Sequence, residues 1–362
     1  MKKQCVIIST PFQLLSAFSI ADNSKGYETD LYIIGNFKNY TEIASRIRNT
    51  NVFINVVAYN LNEIRLAQNC KYGFLRSAFR QISYLKYKKS GKRIAVPERK
   101  YDSVYCAAAV SATELLLYFQ YKYQPSFHLF DDGVMTYRKL DWVTGNLERI
   151  QFVKKRIYKR IGKIEFDYYV YLPSLFNVLN PTETGVKRLV PLSNDIKDKV
   201  VDVFQIDKSL RIKERLLVIE SKVSDYLSEE SSAKLEKLYD QIIKITNGDV
   251  LFKRHPRDER SLKPDRNYLS GSTPFELFSC IQDMSQKAIL AWDSTAVLTP
   301  KLFYGQEPKI ILLYRLIEGK ISNYKETDGF YSEFAKLYKS ERRFLIPKNY
   351  RELEEILVHL ND

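Results

Sequence analysis

Short, nearly continuous β-rich runs alternate with helical patterns along this chain, and that alternation constrains the fold more than any other feature. In the first half "CVIIST", "DLYIIGN", "VFINVVAY", "DSVYCAAA" and "SFHLFDD" are rich in Val, Ile, Tyr and Phe. Runs without a polar face suit strands buried on both sides of a sheet. Between them lie helical segments such as "PFQLLSAFSIA", "YTEIASRIR" and "SATELLLYFQYK". Strand and helix in turn make βαβ units and a parallel sheet. The second half repeats the pattern with "RLLVIES", "VLFKRHP", "AILAW", "KIILLY" and "RFLIP". Its helical segments include "SAKLEKLYDQIIKIT", "PFELFSCIQDM", "STAVLTPKLFYG" and a closing "YRELEEILVHL". At 362 residues the chain exceeds what one core comfortably fills. The expectation is an α/β protein of two domains, each built on a parallel sheet, residues 1–185 and 186–362. An irregular basic stretch from about 134 to 185 joins them.

Open parallel sheets bind ligands at the carboxyl ends of their strands. Four strand exits carry chemistry. "LFDDGVMTY" ends a buried run on Asp131, Asp132 and Gly133. Neighbouring strand residues face opposite ways, so one carboxylate can meet a ligand while the other braces the loop. A carboxylate so placed can take a proton from a hydroxyl, although Asp-Gly is also an ordinary turn. "LFKRHPRDER" brings His255 out of a strand beside Lys253, Arg254 and Arg257, with Pro256 stiffening the backbone. An anion such as phosphate would relieve the crowding of cations; a solvated basic loop is the plain alternative. "GSTPFELF" reads as a helix start with Thr273 as cap and Pro274 in the first turn. Its Glu276 serves either a capping box or ribose hydroxyls. "AWDSTAVLT" sets Ser294 and Thr295 at a strand-to-helix junction, suited to phosphate or to simple capping. The remaining histidines, His128 in an apolar strand and His359 in the last helix, read as structural or surface residues.

Composition narrows the partners. A formal charge of +14 favours acidic ones: phosphates, nucleotide donors, anionic lipid or nucleic acid. Cys5, Cys70, Cys106 and Cys280 show no CxxC spacing, which fits a reduced protein without a zinc site. The opening "MKKQCVIISTPFQLL" reads as strand, turn and helix, because Pro11 and Gln13 interrupt the apolar stretch a leader would need. No apolar run reaches the roughly 20 residues of a membrane span.

The three motifs Asp131-Asp132-Gly133, His255-Pro256 and Ser294-Thr295 together resemble those of bacterial sialyltransferases with the GT-B architecture, two Rossmann-like domains facing across a cleft. "FDDGVMTY" and "PFE" look like segments of the marine and Pasteurella-type enzymes. "STPFQLL" is similar to the opening of glycosyltransferase family 52, and the basic character fits the related polysialyltransferases. The resemblance implies inverting transfer from CMP-sialic acid, with no cofactor and no metal, to a glycan or lipid-linked glycan of a capsule or lipooligosaccharide. It implies Asp131 or Asp132 as general base, with Asp131 favoured, and His255 on the leaving phosphate. Gly133, Lys253, Arg254, Pro256, Glu276, Ser294 and Thr295 fall to the donor side, Glu276 at the ribose. Thr10, Pro11 and Gln13 fall to the acceptor side. Family 52 also includes α-glucosyltransferases, so the family alone leaves the donor open. Arg254 is bulkier than the glycine common before the histidine in some sialyltransferases.

Two basic, aromatic stretches, residues 74–100 and 152–164, offer a reading of another class, a nucleic-acid-binding protein. They carry no recognisable nucleic-acid motif. A better use is an anionic membrane surface where a lipid-linked acceptor waits, giving a cytoplasmic, peripheral membrane protein.

Overall fold

The structure, a computed structural model, describes residues 1–35, 37–60, 99–107, 113–137, 165–222, 227–255, 258, 260–269, 274–317, 319 and 324–360. The chain forms two compact units, Met1–Phe204 and Gln205–Asp362.

The first unit holds seven strands: β1 (Lys2–Ile8), β2 (Tyr27–Gly35), β3 (Asn55–Asn60), β4 (Ser103–Ala107), β5 (Ser126–Phe130), β6 (Phe166–Val170) and β7 (Val186–Arg188). They lie in the order β3-β2-β1-β4-β5-β6-β7, and every pairing is parallel. Cys5 to Ile8 and Leu31 to Ile34 are wholly buried, as unbroken apolar runs in a doubly covered sheet should be. Strand order reverses between β1 and β4, which makes their carboxyl ends a topological switch point.

The second unit holds β8 (Leu216–Ile219), β9 (Val250–Lys253), β10 (Ala288–Ala291), β11 (Lys309–Leu312) and β12 (Phe344–Leu345). The parallel order is β12-β11-β10-β8-β9, with the switch between β8 and β10. Helix Glu229–Ile245 connects β8 to β9 and starts on Ser228, whose hydroxyl accepts the Ser231 amide at 3.1 Å. Leu235, Leu238 and Ile242 on this helix pack with Leu216, Val218 and Phe252 of the sheet. Helix Tyr350–Val358 adds Leu353 and Leu357 to the same core and is capped by Asn349.

Three expectations change. The first unit extends past residue 185, because β7 pairs with β6 and helix Asn194–Phe204 packs on helices Pro11–Asn23 and Tyr40–Arg48. The stretch expected to be an irregular joint contains β6 and helix Pro173–Leu179. "PFELFSCIQDM" is not one helix: a 3₁₀ turn, Phe275–Leu277, leads into Phe278–Ile281, and Pro274 stands before the turn with ψ 140°. Thr273, Cys70 and nearly all of both basic aromatic stretches lie outside the described residues. Arg99, at the end of the first stretch, is bound to Asp30 at 3.2 Å and to Glu28, a structural use of that cation. No helix among the described residues is long and apolar enough to cross a membrane.

Candidate active site

The carboxyl edge of the first sheet is built around the paired aspartates. Ile7 pairs with Cys106 and Cys106 with Leu129, so the exits of β1 and β5 stand on matching rungs. Asp131 is completely buried. One of its carboxylate oxygens accepts the Gly133 amide at 2.9 Å. The other accepts the Tyr171 amide at 3.1 Å and the Tyr137 hydroxyl. Its backbone is tied on both sides: the amide donates to the Tyr169 carbonyl at 2.9 Å, and the carbonyl accepts from the Ser16 hydroxyl at 3.1 Å. Burial pushes its carboxyl up to about 6, against the pull of these three donors. Gly133 has φ 75°, the left-handed turn that glycine adopts without strain, and this turn lets its amide point back at Asp131.

Asp132 is half-buried and differently held. Its amide donates to the Thr136 hydroxyl at 2.7 Å. One carboxylate oxygen accepts the side-chain amide of Gln13 at 3.1 Å. Burial raises its carboxyl to about 7; Gln13 opposes the rise and Asp131 adds to it. The geometry therefore reverses the expected order of the pair. Asp131 is the brace, because every hydrogen-bonding face of its carboxylate is turned inward. Asp132 is the more exposed carboxylate of the two.

Of the residues expected on the acceptor side, Thr10 caps helix Pro11–Asn23 by accepting the Gln13 amide at 3.2 Å, and Pro11 opens the helix. Gln13 has no exposed surface and faces Asp132 rather than solvent. Ser9, Ser16, Tyr137 and Tyr171 escaped sequence reading. The two tyrosines come from the stretch that read as irregular, where nothing in the local pattern signals a bond to an aspartate.

In the second unit the register does the gathering. Ile219 pairs with both Lys253 and Ala291, so β9, β8 and β10 end on one rung. Two residues beyond that rung come His255 on the β9 exit, Ser221 on the β8 exit and Asp293 on the β10 exit. Ser221, unforeseen in the sequence, donates to the Asp293 carbonyl at 3.0 Å and fastens the β8 exit to the β10 exit at the switch point. Tyr331 donates to the Asp293 carboxylate at 2.7 Å. Ser294 makes no side-chain capping bond to the 3₁₀ turn Thr295–Leu298.

Lys253 is buried and Glu276 half-buried, and they act on each other electrostatically. Burial lowers the ammonium's pKa while Glu276 raises it. Burial raises the Glu276 carboxyl while its own backbone amide and Lys253 pull it down. Arg254 lies 3.6 Å from Asp258, so part of its charge is already answered by protein. Pro256 lies outside the described residues. His128 is buried beside Asp167 at 3.5 Å and is pushed by burial to about 4, which fits its structural reading. Among the described residues no group of three or more His, Cys, Asp or Glu is arranged to hold a metal ion.

Two parallel α/β sheets with polar residues drawn to their carboxyl edges are the fold of GT-B glycosyltransferases. The crystal structure of LpCGTa in complex with UDP superposes with a TM-score of 0.53 at 12% identity, covering 99% of this chain and 90% of that one. Arabidopsis thaliana UGT89C1 complexed with UDP gives 0.50 at 9% identity, covering 100% of this chain and 90% of that one. A search among curated protein sequences finds no match. The profile of glycosyltransferase family 52 matches residues 38–305, and the chain belongs to that family. It is a glycosyltransferase.

Proposed function

We propose that this enzyme transfers sialic acid from CMP-sialic acid to a sugar hydroxyl, with inversion and without a metal ion. The observation that carries the reading is Asp132: a half-buried carboxylate at a strand exit, with a pKa raised to about 7 and one oxygen held by Gln13. A base with a pKa near working pH is both ionised and willing to take a proton. The acceptor oxygen gives its proton to Asp132 and bonds to the anomeric carbon. The bond from that carbon to the phosphate oxygen breaks, and its electron pair leaves with CMP. The second unit holds the nucleotide: His255 donates to the departing phosphate, Ser294 and Thr295 bind it, and Glu276 takes the ribose. A leaving group with one phosphate can be met by protein donors alone. The family supports the reaction class, and the order of the three motifs supports the sialyl donor. The acceptor belongs to a surface glycan, capsular or lipid-linked, reached at an anionic membrane face.

The deciding assay offers the protein a panel of nucleotide sugars with a galactose-terminated acceptor. CMP release from CMP-sialic acid, undiminished by EDTA, is expected. Release of UDP from UDP-glucose alone, or dependence on magnesium or manganese, would overturn the sialyl reading.

A further inference from the structure

The side chain of Gln13 is fixed at both ends. Its carbonyl oxygen accepts the Ser9 backbone amide at 2.6 Å and the Ser9 hydroxyl at 3.2 Å. A backbone amide can only donate, so the oxygen of Gln13 must face Ser9 and its NH₂ must face Asp132. That NH₂ lies 3.1 Å from the Asp132 carboxylate. Gln13 is fully buried, and its own backbone is pinned by the Thr10 cap one turn below. The β1 exit thus presents a donor that cannot flip to a carboxylate on the β5 exit, 119 residues away in sequence.

We infer that Gln13 is a positioning residue, which aims the Asp132 carboxylate and holds it in the ionised form a general base requires. This rests on the assignment of Asp132 as base. A hydrogen bond given to a carboxylate stabilises the anion more than the acid. The titratable group that acts on Asp132 is Asp131 from the same turn; Tyr137 from helix Val134–Tyr137 and Tyr171 from the exit of β6 act in turn on Asp131. Asp131 pushes the Asp132 carboxyl upward. Gln13 is the side-chain donor that opposes the push.

The experiment titrates the carboxyl itself, so it does not depend on the donor. Aspartate side chains are labelled with ¹³C at Cγ, and the Asp132 signal is assigned by its loss in Asp132→Asn. Two variants are compared with wild type at matched melting temperature. Gln13→Glu keeps the acceptor for Ser9 and deletes the donor to Asp132; Gln13→Met keeps the length and removes both functions. The Asp132 carboxyl should titrate at least about one pH unit higher in each variant, a tenfold change in protonation equilibrium. In CMP-release assays the acid limb of kcat should move up with it, with activity recovering at high pH and the KM for donor unchanged. An unmoved Asp132 titration in whichever variant folds would overturn the inference. So would a loss of transfer that persists at every pH in a folded variant. If wild type releases no CMP while the titration shifts as expected, the sialyl reading fails and the role of Gln13 stands.

Discussion

Asp131 and Asp132 share a residue type and a turn, yet their oxygens meet opposite surroundings. Two backbone amides and a hydroxyl converge on Asp131, whereas Asp132 receives one amide donor from a side chain and is only half-buried. Asp132→Asn should therefore lower transfer by roughly 10²–10⁴ without loss of the fold. Asp131→Ala should leave buried donors unanswered and cost about 3 kcal/mol, seen as a lower urea midpoint. Stability should also report on Asp132 through pH. Its folded pKa of about 7 lies above its ordinary value, so its contribution is full below about pH 4 and is lost as pH rises through about 7. The melting temperature of Asp132→Asn, which has no carboxyl there, should rise relative to wild type between those limits. A relative fall would mean that the charged form is the one the fold prefers. From the sequence, strand alternation allowed one carboxylate to brace and the other to face outward, with an ordinary turn as the alternative. It could not say which, since two of the three donors to Asp131, the Tyr137 hydroxyl and the Tyr171 amide, lie beyond the turn itself.

Elements buried on both faces were legible, because continuous Val, Ile and Leu runs leave little choice: β1, β2, β4, β5 and β8–β11 fall where the runs predict them. β6 and β7 were not. "FDYYV" carries Asp167 among cations, and "VKR" is an edge strand that needs only backbone pairing, so its side chains say nothing. Register, also invisible in the sequence, ends β9, β8 and β10 on one rung, just before His255, Ser221 and Asp293. His255→Ala should weaken CMP binding at least about tenfold by calorimetry, the scale of one charge-assisted hydrogen bond. A different part of this unit is held by Arg266. Its guanidinium lies over the rings of Tyr239 and Phe252 and meets Glu220 at 3.3 Å, Glu236 at 2.7 Å and Asp240 at 3.0 Å. Arg266→Met removes the cation and leaves Glu220 buried without it, which should lower stability by roughly 3–5 kcal/mol in urea unfolding.

For the whole molecule, the proposed base and the proposed nucleotide site fall in different compact units, Met1–Phe204 and Gln205–Asp362. Saturating CMP, at about 100 times its Kd, should add about 2.7 kcal/mol of protection to the body it binds. Hydrogen exchange should then slow within Gln205–Asp362, most of all around the exits of β8, β9 and β10. Protection confined to Met1–Phe204 would contradict the assignment. The division also bears on how the chain can be cut. A break after residue 185 looks reasonable from sequence, because it falls in a glycine turn just before a basic, polar run. It would strip β7 from β6 and remove the helix Asn194–Phe204 that packs on two others. The amino-terminal fragment would then expose the backbone of β6 as a raw sheet edge, with Tyr168 and Tyr169 along it. Such an edge is a template for self-association. The carboxyl-terminal fragment would carry an amphipathic helix with no partner. Cut at Phe204–Gln205 instead, each half keeps every strand of its own sheet.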